Sequence, residues 1–479
     1  MVAVASLPRT LAALALVVPL CAHAGGAASP VAQWLRAAAI SPDEVALVAL
    51  PVDGGSPLLV HNAGQPMNPA STMKLLTSYA ALSMLGPEYR WRTGAYLRGR
   101  IQDGVLDGDL VLKGAGDPKL VIEDLTEFVG RMRHAGLREL RGDLVIDDSV
   151  FDVGPGSVEA FDGDPTQPYN VRPFGLLMNF KATRVVVQPG DAGARVTLDP
   201  ALDGVEVESR LRMVRGACRP GATALSVRET GARAAAAESP PKIVVTGSYA
   251  PSCGEQGVFA SVLTHREFVH ALFRAAWIAA GGQWDGRTRI ERGAARGSPW
   301  LEWESPRTLA EIVRDVNKFS NNVMSRHLLL ELAGRTGEVP ANPERANAAL
   351  RSWLAAQGLQ LPGLVVENGA GLSRSERVSA AGLAQVLVHA AASPVAELLR
   401  TSLPLVGVDG TMKHRLAGER IAGRAWIKTG SIAEVRTIAG YVDSASGRRH
   451  AIVLFYNGPR VDAAPALQED FLRWVYANG

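Results

Sequence analysis

Strand-like segments at the two ends of the chain place the strongest constraint on its fold. Five apolar runs of strand length lie there, two near the start and three near the end: 44–50, 57–60, 425–430, 436–442 and 451–456. The first two are joined by Asp53-Gly54-Gly55-Ser56, whose composition is typical of a hairpin turn. We expect the five runs to form one antiparallel sheet. The chain must then leave this sheet after its second strand and return near its end, which predicts an inserted domain.

The middle of this chain of 479 residues has the sequence pattern expected of such an insertion. From about residue 91 to residue 257, short apolar runs alternate with turn residues. From about residue 261, apolar residues recur with helical spacing. We therefore predict an α+β fold in which residues 25–92 and 260–479 form one domain, an antiparallel sheet with helices, and residues 93–259 form a large β-rich insertion.

The first 24 residues have the composition of an export signal. Arg9 precedes an apolar run at residues 11–20, and residues 22–24 (Ala-His-Ala) offer the small side chains that signal peptidase requires. We predict a signal peptide at residues 1–24, cleaved after residue 24. No later stretch of about 20 apolar residues follows, so we expect no transmembrane anchor. Cys21 raises the alternative of a lipoprotein, but Leu20 stands where lipidation requires a small residue.

Charge and cysteine content narrow the class of protein further. The formal net charge is +3, and the basic residues are dispersed without a platform of stacked aromatic side chains, so we expect no nucleic-acid partner. If Cys21 leaves with the signal, Cys218 and Cys253 remain. An even pair in an oxidising compartment predicts a disulfide, and two buried free thiols are the alternative.

The first of three short motifs is Ser71-Thr72-Met73-Lys74. Its spacing places the Ser71 hydroxyl and the Lys74 amine one helical turn apart on the same face. A serine hydroxyl is a weak nucleophile, but a desolvated lysine near other positive charge can lose its proton near neutral pH and act as its base. Taken alone, the motif is also compatible with a serine that caps a helix and an ordinary surface lysine.

Two later motifs complete the set. Lys428-Thr429-Gly430, followed by Ser431, lies in an apolar run, where a substrate could pair with the strand and the Ser431 N–H could join that of Ser71 as an oxyanion hole. A charged strand end before a turn is the alternative. Ser320-Asn321-Asn322 opens an apolar helical run, and its alternative is helix capping.

The order of the three motifs, with a long stretch between the first and second, resembles the penicillin-binding proteins of the D-Ala-D-Ala carboxypeptidase/endopeptidase type, the class C low-molecular-mass family. Residues 114–118 (Gly-Ala-Gly-Asp-Pro) resemble the family's Gly-Gly-Asp-Pro segment, and residues 409–411 match its Asp-Gly-Thr approach to the third motif. Residues 368–373 resemble its Asp-Gly-Ser-Gly-Leu-Ser segment, with Asn368 in place of Asp and Ala370 in place of Ser. We expect neither change to touch the nucleophile and both to lie at the rim of the site.

The resemblance implies a transpeptidase-like domain of the kind shared by penicillin-binding proteins and serine β-lactamases. It implies a periplasmic serine D-Ala-D-Ala carboxypeptidase or endopeptidase that needs no cofactor or metal, acts on peptidoglycan peptides through an acyl-enzyme, and is blocked covalently by β-lactams. The resemblance assigns these residues: Ser71 as nucleophile, Lys74 as general base, Ser320, Asn322 and Lys428 as their hydrogen-bonded network, and Thr429, Gly430 and Ser431 as the strand that binds the substrate and its terminal carboxylate.

Three other functions are consistent with parts of the sequence. A serine β-lactamase would share the fold but needs a dedicated base for deacylation, and no convincing Glu-x-x-x-Asn segment is present. A non-catalytic peptidoglycan-binding protein would keep the fold without the reaction. A zinc carboxypeptidase is disfavoured because the spacing of His265 and His270 matches no common helix-borne ligand pair, so we expect both to be surface or packing residues.

Overall fold

The structure is a computed structural model that describes residues 29–154, 161–190, 193–229, 240–334 and 340–479. The predicted export signal and its cleavage site lie outside the described residues. Among the helices of these ranges, none has the length and apolar character that crossing a membrane requires.

Helices and strands are numbered here in chain order. The helices are α1 Pro30–Ala38, α2 Met73–Leu85, α3 Ile122–His134, α4 His265–Ala279, α5 Leu309–Lys318, α6 Asn322–Gly334, α7 Pro343–Ala356, α8 Ala380–Ala391, α9 Ala396–Ser402 and α10 Ala464–Asn478. The strands are β1 Val45–Pro51, β2 Leu59–His61, β3 Pro66–Met67, β4 Arg92–Gln102, β5 Val105–Gly114, β6 Glu139–Leu140, β7 Leu144–Asp147, β8 Thr183–Gly190, β9 Gly193–Asp199, β10 Glu206–Met213, β11 Ala224–Glu229, β12 Lys242–Tyr249, β13 Gln256–Ala260, β14 Gln283–Trp284, β15 Thr288–Ile290, β16 Leu301–Glu304, β17 Val378–Ser379, β18 Ala425–Ile432, β19 Val435–Asp443 and β20 Arg449–Asn457.

A five-stranded antiparallel sheet joins the two ends of the chain, as predicted. Its strand order is β18-β19-β20-β1-β2, so β1 pairs with β20 over its full length and β18 lies at one edge. Successive side chains of β1 enter two different cores, with Ala46 and Val48 on one face and Val45 and Leu47 on the other. This follows from the two-residue period of a strand, and it explains why the run is apolar throughout. The sheet is therefore covered by helices on both faces.

Two helices with almost no polar face carry motif residues into the interior. In α2 every residue from Met73 to Leu82 is buried, and in α6 every residue from Val323 to Ala333 is buried. A helix that is buried on all sides is packed within a core rather than on a surface. Lys74 lies in the first turn of α2, so its side chain is enclosed in the interior of the protein.

A second sheet is built from strands between residues 92 and 304, some of which lie beyond residue 259. Strands β4 and β5 form a long hairpin, and β16 pairs with β4 through Leu301 opposite Ala95. Helices α3 and α4 pack on this sheet and share its apolar core with Trp284 and Trp303. The predicted boundary at residues 259/260 therefore does not coincide with the division of sheets and cores, because helical spacing alone does not tell which sheet a helix covers. We propose that the insertion runs from residue 92 to residue 304.

Two smaller sheets complete the insertion, with strand orders β10-β12-β11 and β13-β8-β9. Strands β10 and β12 are parallel, so their carboxyl ends lie together at Met213 and Tyr249. Cys218 and Cys253 follow these two ends and form the predicted disulfide.

Candidate active site

The Lys74 amine lies at the centre of a buried group of polar atoms. Its Nζ is 2.9 Å from Ser71 Oγ and 2.7 Å from Asn322 Oδ1, and it also donates to the backbone carbonyl of Ala370. The Lys74 side chain is fully buried, whereas Ser71 is partly exposed. A reacting group can thus reach the hydroxyl from solvent while the amine stays in the interior.

Burial and neighbouring cations set the protonation state of this amine. Desolvation holds the pKa of Lys74 well below its usual range, and the positive charges of Lys428 and Arg326 lower this pKa further. A lysine in such surroundings is neutral at a pH where a surface lysine is protonated. It can therefore accept the proton of the adjacent hydroxyl, which is the task of a general base.

A second lysine lies on the neighbouring strand and contacts the second motif. Lys428 is also fully buried, and its Nζ donates to Ser320 Oγ at 2.9 Å and to its own strand at the carbonyl of Thr429, at 2.7 Å. Desolvation lowers the pKa of Lys428 to about 7. Ser320 itself has φ 57°, a left-handed conformation that a non-glycine residue adopts at a cost. This conformation ends the α5 segment and turns Ser320 towards β18 just before α6 begins.

The nucleophile sits on a short turn that is pressed against the edge strand. Residues 70–72 form a single 3₁₀ turn that leads directly into α2, and Ala70 has a positive φ of 43°. Gly430 lies so close to this turn that a Cβ there would be 2.8 Å from the Ser71 backbone nitrogen. Thr437 Oγ1 fixes the turn by donating to the Pro69 carbonyl at 2.7 Å. The backbone N–H of Ser71 is therefore held beside β18, where the predicted oxyanion hole would lie.

Hydroxyl groups lie along and beside the part of β18 that follows Lys428. Thr429 Oγ1 is 2.8 Å from Thr411 Oγ1, and Ser431 is exposed. Thr411 belongs to the Asp-Gly-Thr segment, which is anchored because the buried Lys318 amine binds both carboxylate oxygens of Asp409, at 2.8 and 2.6 Å. The segment singled out for its sequence is thus connected to the third motif in space.

Residues 368–371 do not lie only at the rim, as their departure from the family pattern had suggested. Ala370 is fully buried, and its carbonyl accepts a hydrogen bond from Lys74 Nζ. The Gly369 carbonyl accepts hydrogen bonds from Thr77 and Ser325, at 2.7 and 2.8 Å. The segment therefore forms part of the floor beneath the base.

The structure gathers the predicted site residues into two connected groups. Ser71, Lys74 and Asn322 form one, and Ser320, Lys428 and Thr429 form the other, with Gly430 touching the turn that carries Ser71. Sequence reasoning missed three groups that act on Lys74. The Ala370 carbonyl accepts a hydrogen bond from its amine, the charge of Arg326 lowers its pKa, and the charge of Glu376 raises that pKa. A backbone carbonyl carries no residue-type signal, and a single Arg or Glu in an unremarkable position offers none either.

The two histidines considered as zinc ligands have packing roles in the structure. His265 is buried and stacks on Phe174 with ring centroids 3.8 Å apart, and desolvation lowers its pKa to about 3. His270 is 2.9 Å from Thr288 Oγ1 and lies against Trp284. In the part of the chain that the structure describes, no group of three His, Cys, Asp or Glu residues could hold a metal ion.

Comparison with known proteins agrees with this geometry. Residues 27–476 match the D-Ala-D-Ala carboxypeptidase 3 (S13) family. The chain is 27% identical over 440 residues to a D-alanyl-D-alanine carboxypeptidase from Actinomadura sp. strain R39, which covers 87% of this chain and 78% of that protein.

Solved structures show the same fold. Penicillin binding protein 4 (dacB) from Haemophilus influenzae superposes with a TM-score of 0.76 at 22% identity, over 93% of this chain and 99% of that one. Its complex with a β-lactam gives a TM-score of 0.74 at 21% identity, over 94% and 100% of the two chains. The predicted α+β class, with the sheet and helices of a penicillin-binding protein, is confirmed. Since the family match spans nearly the whole sequence and the three motifs converge on one buried site, the chain belongs to the D-Ala-D-Ala carboxypeptidase 3 (S13) family.

Proposed function

We propose that this protein is a serine-type D-Ala-D-Ala carboxypeptidase, endopeptidase or both, which acts on peptidoglycan stem peptides and cross-links through an acyl-enzyme. The observation that carries the proposal is the buried Lys74 amine, 2.9 Å from Ser71 Oγ, with its pKa held well below the usual range. This pair supplies an activated serine without a histidine.

In the proposed acylation, Ser71 Oγ attacks the carbonyl carbon of the bond between the two D-alanines while its proton passes to Lys74 Nζ. The N–H groups of Ser71 and Ser431 stabilise the oxyanion that forms. As the carbon–nitrogen bond breaks, Ser320 gives its proton to the leaving amine and takes one from Lys428, to which it is hydrogen-bonded. D-alanine, or the amine of a cross-link, departs. Water then attacks the ester and gives a proton to Lys428, while Lys74 returns its proton to Ser71 Oγ as the acid is released.

Substrate binding along β18 follows from the position of this strand. It is an edge strand of the five-stranded sheet. Its outer groups at Ala425 and Ile427 bond to Val406 and Pro404, and those beyond Ile427 can pair with an extended peptide. Thr429 and Ser431 would bind the terminal carboxylate, since hydroxyl groups there face a site that already contains two buried lysines. Gly430 carries no side chain, which lets the turn that holds Ser71 lie against this strand.

β-Lactams would enter the same site and acylate Ser71. The relative from Haemophilus influenzae has been solved with a β-lactam, and it shares the fold over nearly its whole length. We propose that the protein works in the periplasm, because the composition of residues 1–24 predicts export and peptidoglycan lies outside the inner membrane.

Intact-protein mass spectrometry after brief exposure to benzylpenicillin tests the proposal. We expect a single stable adduct on the wild type and on Ser446→Ala, an exposed serine far from the motifs, but none on Ser71→Ala. Muropeptide digests would then separate carboxypeptidase from endopeptidase activity. A fleeting adduct with hydrolysed antibiotic would instead identify a β-lactamase. A protein that binds muropeptides but forms no adduct and cleaves none would be a binding protein.

A further inference from the structure

The Asn368–Gly371 loop lacks a carboxylate at the position where the family motif has one. Asn368 stands in place of the motif's Asp, yet a carboxylate lies close by from another position. Glu376 is fully buried, and its Oε1 accepts three backbone hydrogen bonds, from Glu367 at 3.1 Å, Asn368 at 2.9 Å and Gly369 at 2.9 Å. Burial raises the pKa of Glu376, and the three N–H donors and the charge of Lys74 act against that rise.

The Asn368 side chain is adapted to this neighbour. Its Oδ1 accepts from the Ala370 N–H at 2.9 Å, and its Nδ2 donates to the Leu372 carbonyl at 2.9 Å. An aspartate could keep the first bond but could not make the second, because an ionised carboxylate only accepts. It would also add a second negative charge to a loop whose N–H groups already bind Glu376. The carboxyl group that the backbone of this loop binds is thus that of Glu376, which lies outside the loop.

The loop that Glu376 holds is in direct contact with the base. Gly369, whose N–H is bound by Glu376, is also fixed at its carbonyl by Thr77 on α2 and Ser325 on α6. The next carbonyl, that of Ala370, accepts from Lys74 Nζ. A displacement of the loop would therefore move an acceptor of the general base.

The charges around Lys74 give Glu376 a second effect. The cations that face Lys74 are Lys428 on β18 and Arg326 on α6, and both lower its pKa. Glu376 is the anionic group among the described residues that raises the pKa of Lys74. Arg326 in turn faces Glu376 and Glu367. The buried members of this group are Lys74, Lys428, Arg326 and Glu376, whereas Glu367 is exposed.

We infer that Glu376 is a positioning residue of the active site, which fixes the Asn368–Gly371 loop under Lys74 and acts through its charge on the general base. The inference rests on the proposed function, since it gives Glu376 its role through the general base.

The pH dependence of benzylpenicillin acylation tests the inference. Glu376→Gln keeps the shape and removes the charge, so the pKa of Lys74 should fall and the acid limb of the rate profile should move to lower pH by about one unit. At a pH within the acid limb, each protein's rate can be expressed as a fraction of its own plateau rate. This fraction should be about tenfold higher for the variant than for the wild type. Asn368→Asp in the Glu376→Gln background should move the limb back, and Glu367→Gln, which removes the other carboxylate, should leave it in place.

The outcomes separate the inference from the proposed function. If the wild type forms no adduct, the proposed function fails. If the wild type is acylated but Glu376→Gln keeps the wild-type limb, or Asn368→Asp does not move it back, Glu376 has a structural role only and the inference is overturned. Should Glu376→Gln fail to fold, the single variant Asn368→Asp decides: its added charge must move the limb to higher pH, and an unmoved limb overturns the inference.

Discussion

Two buried polar regions along α6 differ in how their ionisable groups are satisfied. At the amino end of the helix, Lys74 has three acceptors, one of which is Asn322. About three turns further on, at the junction with the insertion, Glu331 is buried with Oε2 accepting from Tyr89 at 3.1 Å. Its Oε1 has no hydrogen bond among the described residues, and burial raises the pKa of Glu331 to about 8.

The difference teaches what each region is built to do. An amine surrounded by acceptors can gain or lose a proton without leaving any group unpaired, as a general base must. A carboxyl with a single partner is kept neutral near pH 7, and nearby Asp117, whose pKa burial raises to about 6, adds to the same requirement. We propose that the first region serves proton transfer, whereas the second, in which Tyr89 donates to Glu331, depends on a proton that stays in place.

Removal of the base should give the largest effect. Lys74→Ala deletes the proton acceptor of Ser71 and leaves Asn322 and the Ala370 carbonyl without their donor. We expect acylation by benzylpenicillin at pH 7 to fall by about 1,000-fold. Time-resolved mass spectrometry measures the rate, and the exposed Lys413→Ala is the control. A rate within tenfold of the wild type would mean that the base lies elsewhere.

A methyl group beneath the nucleophile should give the next largest effect. Gly371 has φ +77°, and a Cβ there would collide with the backbone carbonyl of Ala70, which directly precedes Ser71. We expect Gly371→Ala to slow acylation by about 100-fold, as a misplacement near 1 Å can. Gly447→Ala is the matched control, because Gly447 has φ +87° with open space around it. It has the same backbone strain, so equal losses in the two variants would contradict a role for contact with the turn.

A change at the buried Glu331 should alter the free energy of unfolding rather than the rate of acylation. Because the pKa of Glu331 is raised in the folded protein, folding retains a proton that the unfolded chain releases above about pH 4.5. The contribution of Glu331 to the free energy of unfolding therefore falls as pH rises from that point through about pH 8. Asp117 acts in the same direction up to about pH 6. Lys428, whose pKa is lowered to about 7, acts in the opposite direction above about pH 7.

Glu331→Gln should flatten this decline above pH 6 and raise Tm at pH 8, while acylation changes by less than about threefold. Thermal melts from pH 5 to pH 9 would show it, with the exposed Glu88→Gln as control. His327, whose pKa burial lowers to about 4, acts oppositely and weakens the fold below about pH 6.5. The same pH dependence of Tm in the wild type and in Glu331→Gln would refute the neutral carboxyl.

The smallest effect on the reaction should come from the disulfide. Replacing Cys218 and Cys253 together by Ser opens a closed loop with a sequence separation of 35 and should weaken its sheet locally by about 3 kcal/mol. Acylation should not change, because the bridge lies in the insertion. Limited proteolysis combined with the acylation assay checks both points. Loss of acylation without unfolding would show that this sheet supports the site.

The sequence predicted the elements whose signal is local. The five strands, the helical turn that places Ser71 beside Lys74, and the disulfide all follow from spacing or pairing of residue types. The end of the insertion could not be read in this way, since Leu301 and Trp303 look the same in either sheet. The floor of the site was hidden for another reason. The contact between Lys74 and Ala370 involves a backbone atom, and the importance of Glu376 arises only from which N–H groups surround it.

The pairing of β1 with β20 also bears on when activity can arise. Asn68, three residues before Ser71, donates its backbone N–H to the Asn457 side chain at 2.8 Å across 389 residues of sequence. Contacts of such range form late, because a long loop must close before they contribute. The nucleophile and Lys74 are made early in synthesis, but Lys428 on β18 and Thr437 on β19, which fixes the turn of Ser71, are made last. A half-made chain therefore contains the serine and its base without the strands that hold them in place.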